Sequence, residues 1–261
     1  MQEFTRTVAR TSGIAFGLAT HALFAVTVWY LVWFLAGHGP GTTTTSETAA
    51  TAFRSLAIDA ALAALFAVPH SVLLLPAVRR SLTARLVPPA FYGCFYCVVT
   101  CVALLTTIAA WQPSDGVVWA WPAALGPWVT AAFIGCWVLL LYSLHLTGLG
   151  YQTGFTPWWQ WVRGLPQGRR EFQPRGAYCI LRHPVYLSFL GLVWFTPVVT
   201  LDRSVLIVIW TAYIFIGSVL KDRRLAFFLG DAYRDYQARV PGYPGMPAGP
   251  LARVPVGTMG R

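Results

Sequence analysis

Long apolar runs separated by short polar segments dominate the chain. Four of them, at 13–37, 49–78, 91–111 and 127–148, are each long enough to cross a hydrocarbon layer about 30 Å thick. All four read as helices, because an open strand edge would leave backbone N–H and C=O groups unpaired in lipid. Two shorter runs, 184–200 and 204–220, span about 25 Å each at helical rise and are joined only by Leu201, Asp202 and Arg203, which predicts a tight helical hairpin. Beyond Leu220 the apolar positions Leu225, Phe228, Leu229, Ala232 and Tyr236 follow helical spacing with Arg and Asp between them. That pattern predicts an amphipathic helix lying along the membrane surface or folded over the ends of the spans. The stretch between Trp111 and Pro127, with Asp115, Trp119 and Trp121, suits a membrane interface. The expected fold is all-α: a polytopic integral membrane protein of about six transmembrane helices, the last two a short hairpin, with a C-terminal amphipathic helix. Its organisation is read as an N-terminal span and external loop over 1–48, a core over 49–245 and a tail over 246–261.

Composition narrows the class further. Of 261 residues, 56% are hydrophobic and 11% charged, less than half the charged fraction of a typical soluble domain, which excludes a soluble enzyme and a disordered chain alike. The mean hydropathy of +0.57 agrees. Net charge is +10, from 19 basic residues of which Lys221 is the only lysine. With no soluble basic domain to carry it, this excess argues for cytoplasmic loops rather than a nucleic-acid surface. Arg6 and Arg10 precede the first run, which is too long for a signal-peptide core. Arg79, Arg80 and Arg85 follow the second run, and Arg163, Arg169, Arg170, Arg175 and Arg182 follow the fourth. Lys221, Arg223, Arg224, Arg234 and Arg239 follow the last. Both termini and these loops are therefore expected on the cytoplasmic side of a bacterial membrane. The five cysteines form no disulfide framework, and Cys94, Cys97 and Cys101, three and four residues apart, read as small packing residues on one helix face. No metal-ligand set accompanies them.

The densest polar constellation is Tyr178-Cys-Ile-Leu-Arg182-His183-Pro184-Val-Tyr186-Leu187. Proline at the first helical position fixes a helix start whose unpaired N–H groups face the cytoplasm beside Arg182 and His183. Such an end suits a carboxylate or phosphate, although the same residues could simply anchor the helix among headgroups.

These residues, with their surroundings, resemble the isoprenylcysteine carboxyl methyltransferase and phospholipid methyltransferase superfamily of membrane enzymes. Its signature, Arg-His-Pro-x-Tyr opening a short hairpin and a later Phe-Gly-x-x-Tyr-x-x-Tyr-x-x-x-Val-Pro, is similar to Arg182 to Tyr186, Lys221 to Leu225, and Leu229-Gly230-Asp-Ala-Tyr233-Arg-Asp-Tyr236 through Val240-Pro241. Within it the methanethiol S-methyltransferase branch and its NnrU-like relatives are the most similar. That likeness rests on Ile58-Asp59, Phe66-Ala-Val-Pro-His70-Ser71, Val87-Pro88-Pro89-Ala90, Trp111-Gln-Pro113, Arg163-Gly164 and Trp194-Phe-Thr196-Pro197. The resemblance implies S-adenosylmethionine as cofactor, held by two strips: Tyr178, Arg182, His183, Pro184, Tyr186 and Leu187, then Asp222, Arg223, Leu225, Gly230, Tyr233 and Tyr236. The chemistry agrees, since a helix N-terminus and Arg182 suit a carboxylate, Tyr186 offers an aromatic face to a sulfonium, and Asp222 could accept from ribose hydroxyls.

Methyl transfer from a sulfonium to a thiolate removes charge, so a dry pocket favours it, and the harder requirement is to make the thiolate. His70 is the candidate base, with His183 and Arg182 as further catalytic candidates. Asp59 lies eleven residues before His70 on the same helix face, about 16 Å away, too far for a direct pair. Ionisable residues inside a membrane are functional candidates, but packed polar groups satisfied by neighbouring helices are the competing reading for both. The chain departs from its branch at Tyr92-Gly93 (Glu-Arg there), at Leu149 and Tyr151 (His and Asp), at Ser188 (Gly) and at Lys221-Asp222 (paired acids). A small or lipophilic thiol, methanethiol foremost, is the expected acceptor. A prenylated or lipid carboxylate or amine, or a non-catalytic NnrU-like role, stays open.

Overall fold

The computed structural model describes residues 2–38, 49–166 and 172–254. Expectations that fall on Glu47, the Thr42–Thr45 tract, Arg169 and Arg170 lie outside the described residues. The helices are α1 (Gln2–Leu35), α2 (Ala49–Val72), α3 (Pro76–Arg85), α4 (Tyr92–Ala110), α5 (Gly126–Leu146), α6 (Leu149–Gln152), α7 (Phe155–Arg163), α8 (Pro184–Trp194), α9 (Leu201–Leu229) and α10 (Asp231–Arg239). Two short strands, β1 (Val117–Ala120) and β2 (Val198–Thr200), pair antiparallel. Five helical segments, Thr7–Leu35, Ala50–Val72, Pro89–Ala110, Ala123–Leu146 and Leu201–Leu229, are long and apolar enough to cross a membrane, and Pro184–Trp194 is a shorter apolar helix. The protein is an all-α polytopic membrane protein.

The boundaries differ from the sequence expectation in four places, each with a local cause. The run 49–78 breaks after Val72, because Pro76 lacks an N–H for a continuing helix and instead opens α3. The run 184–200 stops at Trp194. Pro197 biases Thr196 away from helix, and the chain turns into β2, whose partner β1 is the stretch read as interfacial. The expected turn Leu201 to Arg203 is already the first turn of α9, with Thr200 in extended conformation before it and its hydroxyl bonded to Asp202. Finally, α9 does not end near Leu220. It runs on through Lys221 and Asp222 to Leu229, and only Gly230, at φ +57, separates it from α10.

The chain divides into two compact units. The first, Met1–Asp115 with Gly148–Arg169, packs α1 and α2 on α4, with α7 against α1 and α4. Small residues and polar links set its close contacts, as expected where lipid supplies no hydrophobic drive between helices. Trp158 lies over Gly17 and donates from Nε1 to the Gly13 carbonyl at 3.0 Å. Thr107 donates to the Leu62 carbonyl at 2.9 Å, and Asp59, fully buried, accepts the Gln112 backbone N–H at 2.8 Å. The turn before α7 reaches the start of α4 so closely that a Cβ on Gly154 would lie 2.2 Å from the Cys94 nitrogen. Gly154 also holds φ +81, so both its space and its backbone favour glycine. The cysteines are free, with Cys97 and Cys101 Sγ atoms 4.0 Å apart on one helix face.

The second unit, Gly116–Thr147 with Arg170–Arg261, packs α5 on α8, α8 on α9 and α10 on α9. Gly191 of α8 admits Cys136 of α5, whose Sγ lies 2.3 Å from where a Cβ would stand. Trp194 donates to Thr211 at 3.0 Å across the α8–α9 pair.

Gly154→Ala is expected to destabilise the first unit by about 2–3 kcal/mol through overpacking and backbone strain. Gly135→Ala, where nothing stands within 4 Å, should leave stability unchanged or slightly raised. Thermal unfolding in detergent compares the two, and equal losses would overturn the close-approach explanation.

Candidate functional site

Just before α8 the chain makes a short 3-10 turn (Gly176–Cys179), then Arg182 and His183 in non-helical conformation, then Pro184 at the first helical position. No side chain caps α8, so the N–H groups of Val185 and Tyr186 have no intrahelical partner. The expected helix start is thus formed, with Arg182 and His183 beside it.

Both side chains are buried, Arg182 at 1% and His183 at 0% exposure. Arg182 sends Nε and Nη2 to Asp222 Oδ2 on α9, at 3.1 and 3.0 Å. Its remaining donors go to backbone carbonyls of α10 and of the chain after it. Nη1 reaches Gln237, Val240 and Ala252 at 3.2, 2.7 and 3.0 Å, and Nη2 reaches Pro250 at 2.9 Å. Its own backbone N–H donates to the Pro241 carbonyl at 2.9 Å. The guanidinium is therefore fully engaged within the protein, and the segment 240–252 is shaped around it.

Asp222 is the second hub. Beside Arg182, its Oδ1 accepts from the Tyr233 hydroxyl of α10 and lies 3.1 Å from His183 Nε2. His183 Nε2 faces Asp222 at that distance without hydrogen-bond geometry, and Nδ1 is likewise buried with no hydrogen-bond partner. Burial holds the His183 imidazole below its ordinary value of 6.5, against the opposing pull of Asp222 and with help from Lys221 and Arg182. The group is neutral at pH 7. Burial likewise raises Tyr178 to about 12 and keeps Tyr233 and Tyr236 protonated.

Tyr236 donates to the Tyr178 carbonyl at 2.6 Å, and Phe172 stands edge-on to both Tyr233 and Tyr236. Tyr186 lies 5.5 Å from the His183 ring. The segment 241–254 folds back rather than trailing away: Gly242 N–H donates to the Leu251 carbonyl at 2.8 Å and Val254 to Gln237 at 3.1 Å. It brings Tyr243, absent from the sequence expectation, to 5.6 Å from the His183 ring, with its hydroxyl 2.6 Å from Ser218 Oγ. Ile214, Tyr243 and Leu251 form a buried apolar core beneath, against which Leu187 packs.

The structure thus gathers Tyr178, Arg182, His183, Pro184, Tyr186, Leu187, Asp222, Tyr233 and Tyr236 in the second unit. Arg223 is exposed, Leu225 half-buried, and Gly230 serves as the α9–α10 break. Ser218, Gln237 and Tyr243 were not anticipated. Only Val240-Pro241 hinted that the chain after α10 belongs to the site. His70 lies in the first unit, half-buried near the end of α2, its ring 5.4 Å from those of Phe66 and Tyr96. No group of three or more His, Cys, Asp or Glu side chains suited to a metal occurs among the described residues.

Fold and site together define a helical membrane protein with a buried polar cluster, built on an arginine–aspartate ion pair, at the start of a short helix. Over most of its length the chain is similar to bacterial enzymes. It is 30% identical to methanethiol S-methyltransferase 1 of Bradyrhizobium diazoefficiens, covering 86% of this chain and 79% of that one. It is 29% identical to the methanethiol S-methyltransferase of Mycobacterium tuberculosis (87% and 93%) and 32% identical to that of Pseudomonas deceptionensis (71% of each). No protein-family model and no solved structure matches. The chain belongs to the methanethiol S-methyltransferase family and is a membrane methyltransferase.

Arg182→Ala leaves Asp222 buried without its main counter-charge and should cost about 3–5 kcal/mol. It should also release the segment 240–252, so that chymotrypsin cuts at Tyr243, which is 3% exposed in the native fold. Arg182→Lys, keeping the charge but not the fork of donors, should show the same cleavage at a smaller loss of stability. Resistance to chymotrypsin in both variants would dismiss the clamp.

Proposed function

We propose that this protein transfers the methyl group of S-adenosylmethionine to methanethiol, releasing dimethyl sulfide. The observation that carries this reading is kinship to methanethiol S-methyltransferases over nearly the whole chain, coinciding with the polar cluster. The residues present fit such a donor. The His183 ring nitrogens are buried without hydrogen-bond partners, the N–H groups opening α8 suit a carboxylate, and the faces of Tyr178 and Tyr186 suit a sulfonium. When bound, the donor supplies a methyl group on a positively charged sulfur, whose transfer to a thiolate neutralises both. The protein's part is to hold, dry and ionise. Arg182 acts as a positioning residue, tying α8, α9, α10 and the chain after α10 into one cradle through Asp222 and four carbonyls. His183 stays neutral and offers an acceptor rather than a second cation. Leu187, Ile214 and Leu251 keep the surroundings apolar. His70 is the proposed base for the thiol, supported by its being an imidazole within a candidate span. The arginine distribution supports a bacterial cytoplasmic membrane with both termini and the cluster on the cytoplasmic side.

Headspace analysis of cells expressing the protein and fed methanethiol should show dimethyl sulfide above the empty-vector level. A flat headspace with S-adenosylhomocysteine binding intact would reject methanethiol and point to a lipid or prenylated acceptor. In purified protein, His70→Ala should lower turnover by about a hundredfold while leaving donor affinity nearly unchanged, with less loss at high pH where thiolate forms unaided. Equal loss at every pH, or loss of donor binding, would return His70 to a packing role.

A further inference from the structure

The single lysine of the chain sits in an unusual place. Lys221 Nζ lies 5.2 Å from the ring centroid of Tyr186 and 5.9 Å from that of Tyr178. It is half-buried, and among the described residues no carboxylate pairs with it. Asp222, its neighbour in sequence, is committed to Arg182, His183 and Tyr233. The ammonium is balanced instead by two aromatic faces. Tyr178 is held by the short turn before α8, its carbonyl fixed by Tyr236, and Tyr186 by the first turn of α8, alongside Gly217 one helical turn before Lys221.

Two rings converging on one compact monocation define a cation cage, and an ammonium and a sulfonium draw on the same ring quadrupole. We propose that Lys221 is an internal cation that occupies the sulfonium's place between Tyr178 and Tyr186 and competes with it, so that the charged methyl donor is bound less tightly, relative to the neutral thioether product, than the cage alone would allow. This rests on S-adenosylmethionine being the donor. It makes Lys221 a residue that sets the balance between donor and product: the donor must displace the ammonium or sit beside it, whereas the product carries no charge to oppose it.

Isothermal titration of the detergent-purified full chain with S-adenosylmethionine and with S-adenosylhomocysteine tests this without any turnover. For Lys221→Gln, the affinity ratio of donor to product should shift towards the donor by about tenfold to a hundredfold, the order expected for removing a nearby like charge in a partly dry site. Lys221→Met, close in length and apolar, should shift it the same way and guards against a folding defect in one variant. Lys221→Arg, which keeps the cation, should hold the ratio within about threefold of wild type, an outcome that a purely packing role would not separate from the other two. Product binding that persists with an unchanged ratio in both neutral variants overturns the inference alone. Wild-type protein that binds neither ligand overturns the donor assignment and the inference with it.

Discussion

The buried pair of Arg182 and Asp222 is the constraint on which the second unit depends. Bringing a guanidinium and a carboxylate out of water is costly, and their mutual attraction offsets that cost only if every remaining donor and lone pair is also satisfied. Here that demand is met by recruiting distant chain. Asp222 draws in Tyr233 and His183, and Arg182 draws in carbonyls at 237, 240, 250 and 252. The need to satisfy one guanidinium therefore determines where α10 lies on α9 and why the chain beyond it returns over His183. An aliphatic residue at 182 could fill the volume but would leave those carbonyls without donors.

This also explains what could be read from the sequence and what could not. The long spans were legible because twenty consecutive apolar residues carry a strong signal that local detail does not disturb. Their ends were less so. Lys221 and Asp222 end the apolar run but not the helix, since a helix continues wherever its backbone bonds do, and α9 stops only where Gly230 takes φ +57. The β1–β2 ribbon, with strands of four and three residues, is too short for periodicity to register. The polar strip at 178–187 stood out because charges are rare in this chain. Its acceptors did not, because backbone carbonyls have no sequence signature, and the segment 241–254, rich in Pro and Gly, has no period to follow.

The residues that depart from the family pattern near α4 find a structural account. Tyr92, at the position of an acid, donates to the Leu73 carbonyl at 2.6 Å and lies under the Arg79 guanidinium, joining α4 to the turn before α3. Gly93 provides the space for Gly154 to cross, a Cβ there falling 2.5 Å from its Cα. Asp59, read in the sequence as a polar residue satisfied by neighbours or else functional, receives the backbone N–H that follows the end of α4. In the first unit these positions serve helix-to-helix contact.

Charge balance in the cluster bears on the proposed reaction. Arg182 and Asp222 cancel, His183 is neutral, and the tyrosines keep their protons, which leaves the Lys221 ammonium, with the Arg224 guanidinium acting on it, as surplus positive charge. A dry site with excess positive charge disfavours further cations and favours anions, whether the carboxylate of a donor or the ionised form of a thiol. A bound sulfonium adds to that excess. The combined field then biases an approaching thiol towards thiolate, so the same charge that opposes the donor helps to prepare the acceptor. A sulfonium beside a neutral cage would bind more tightly but lose that bias. In the proposed reaction Lys221 would thus exchange donor affinity for acceptor ionisation, which suits a small alkyl thiol, of which only a very small fraction is thiolate at pH 7.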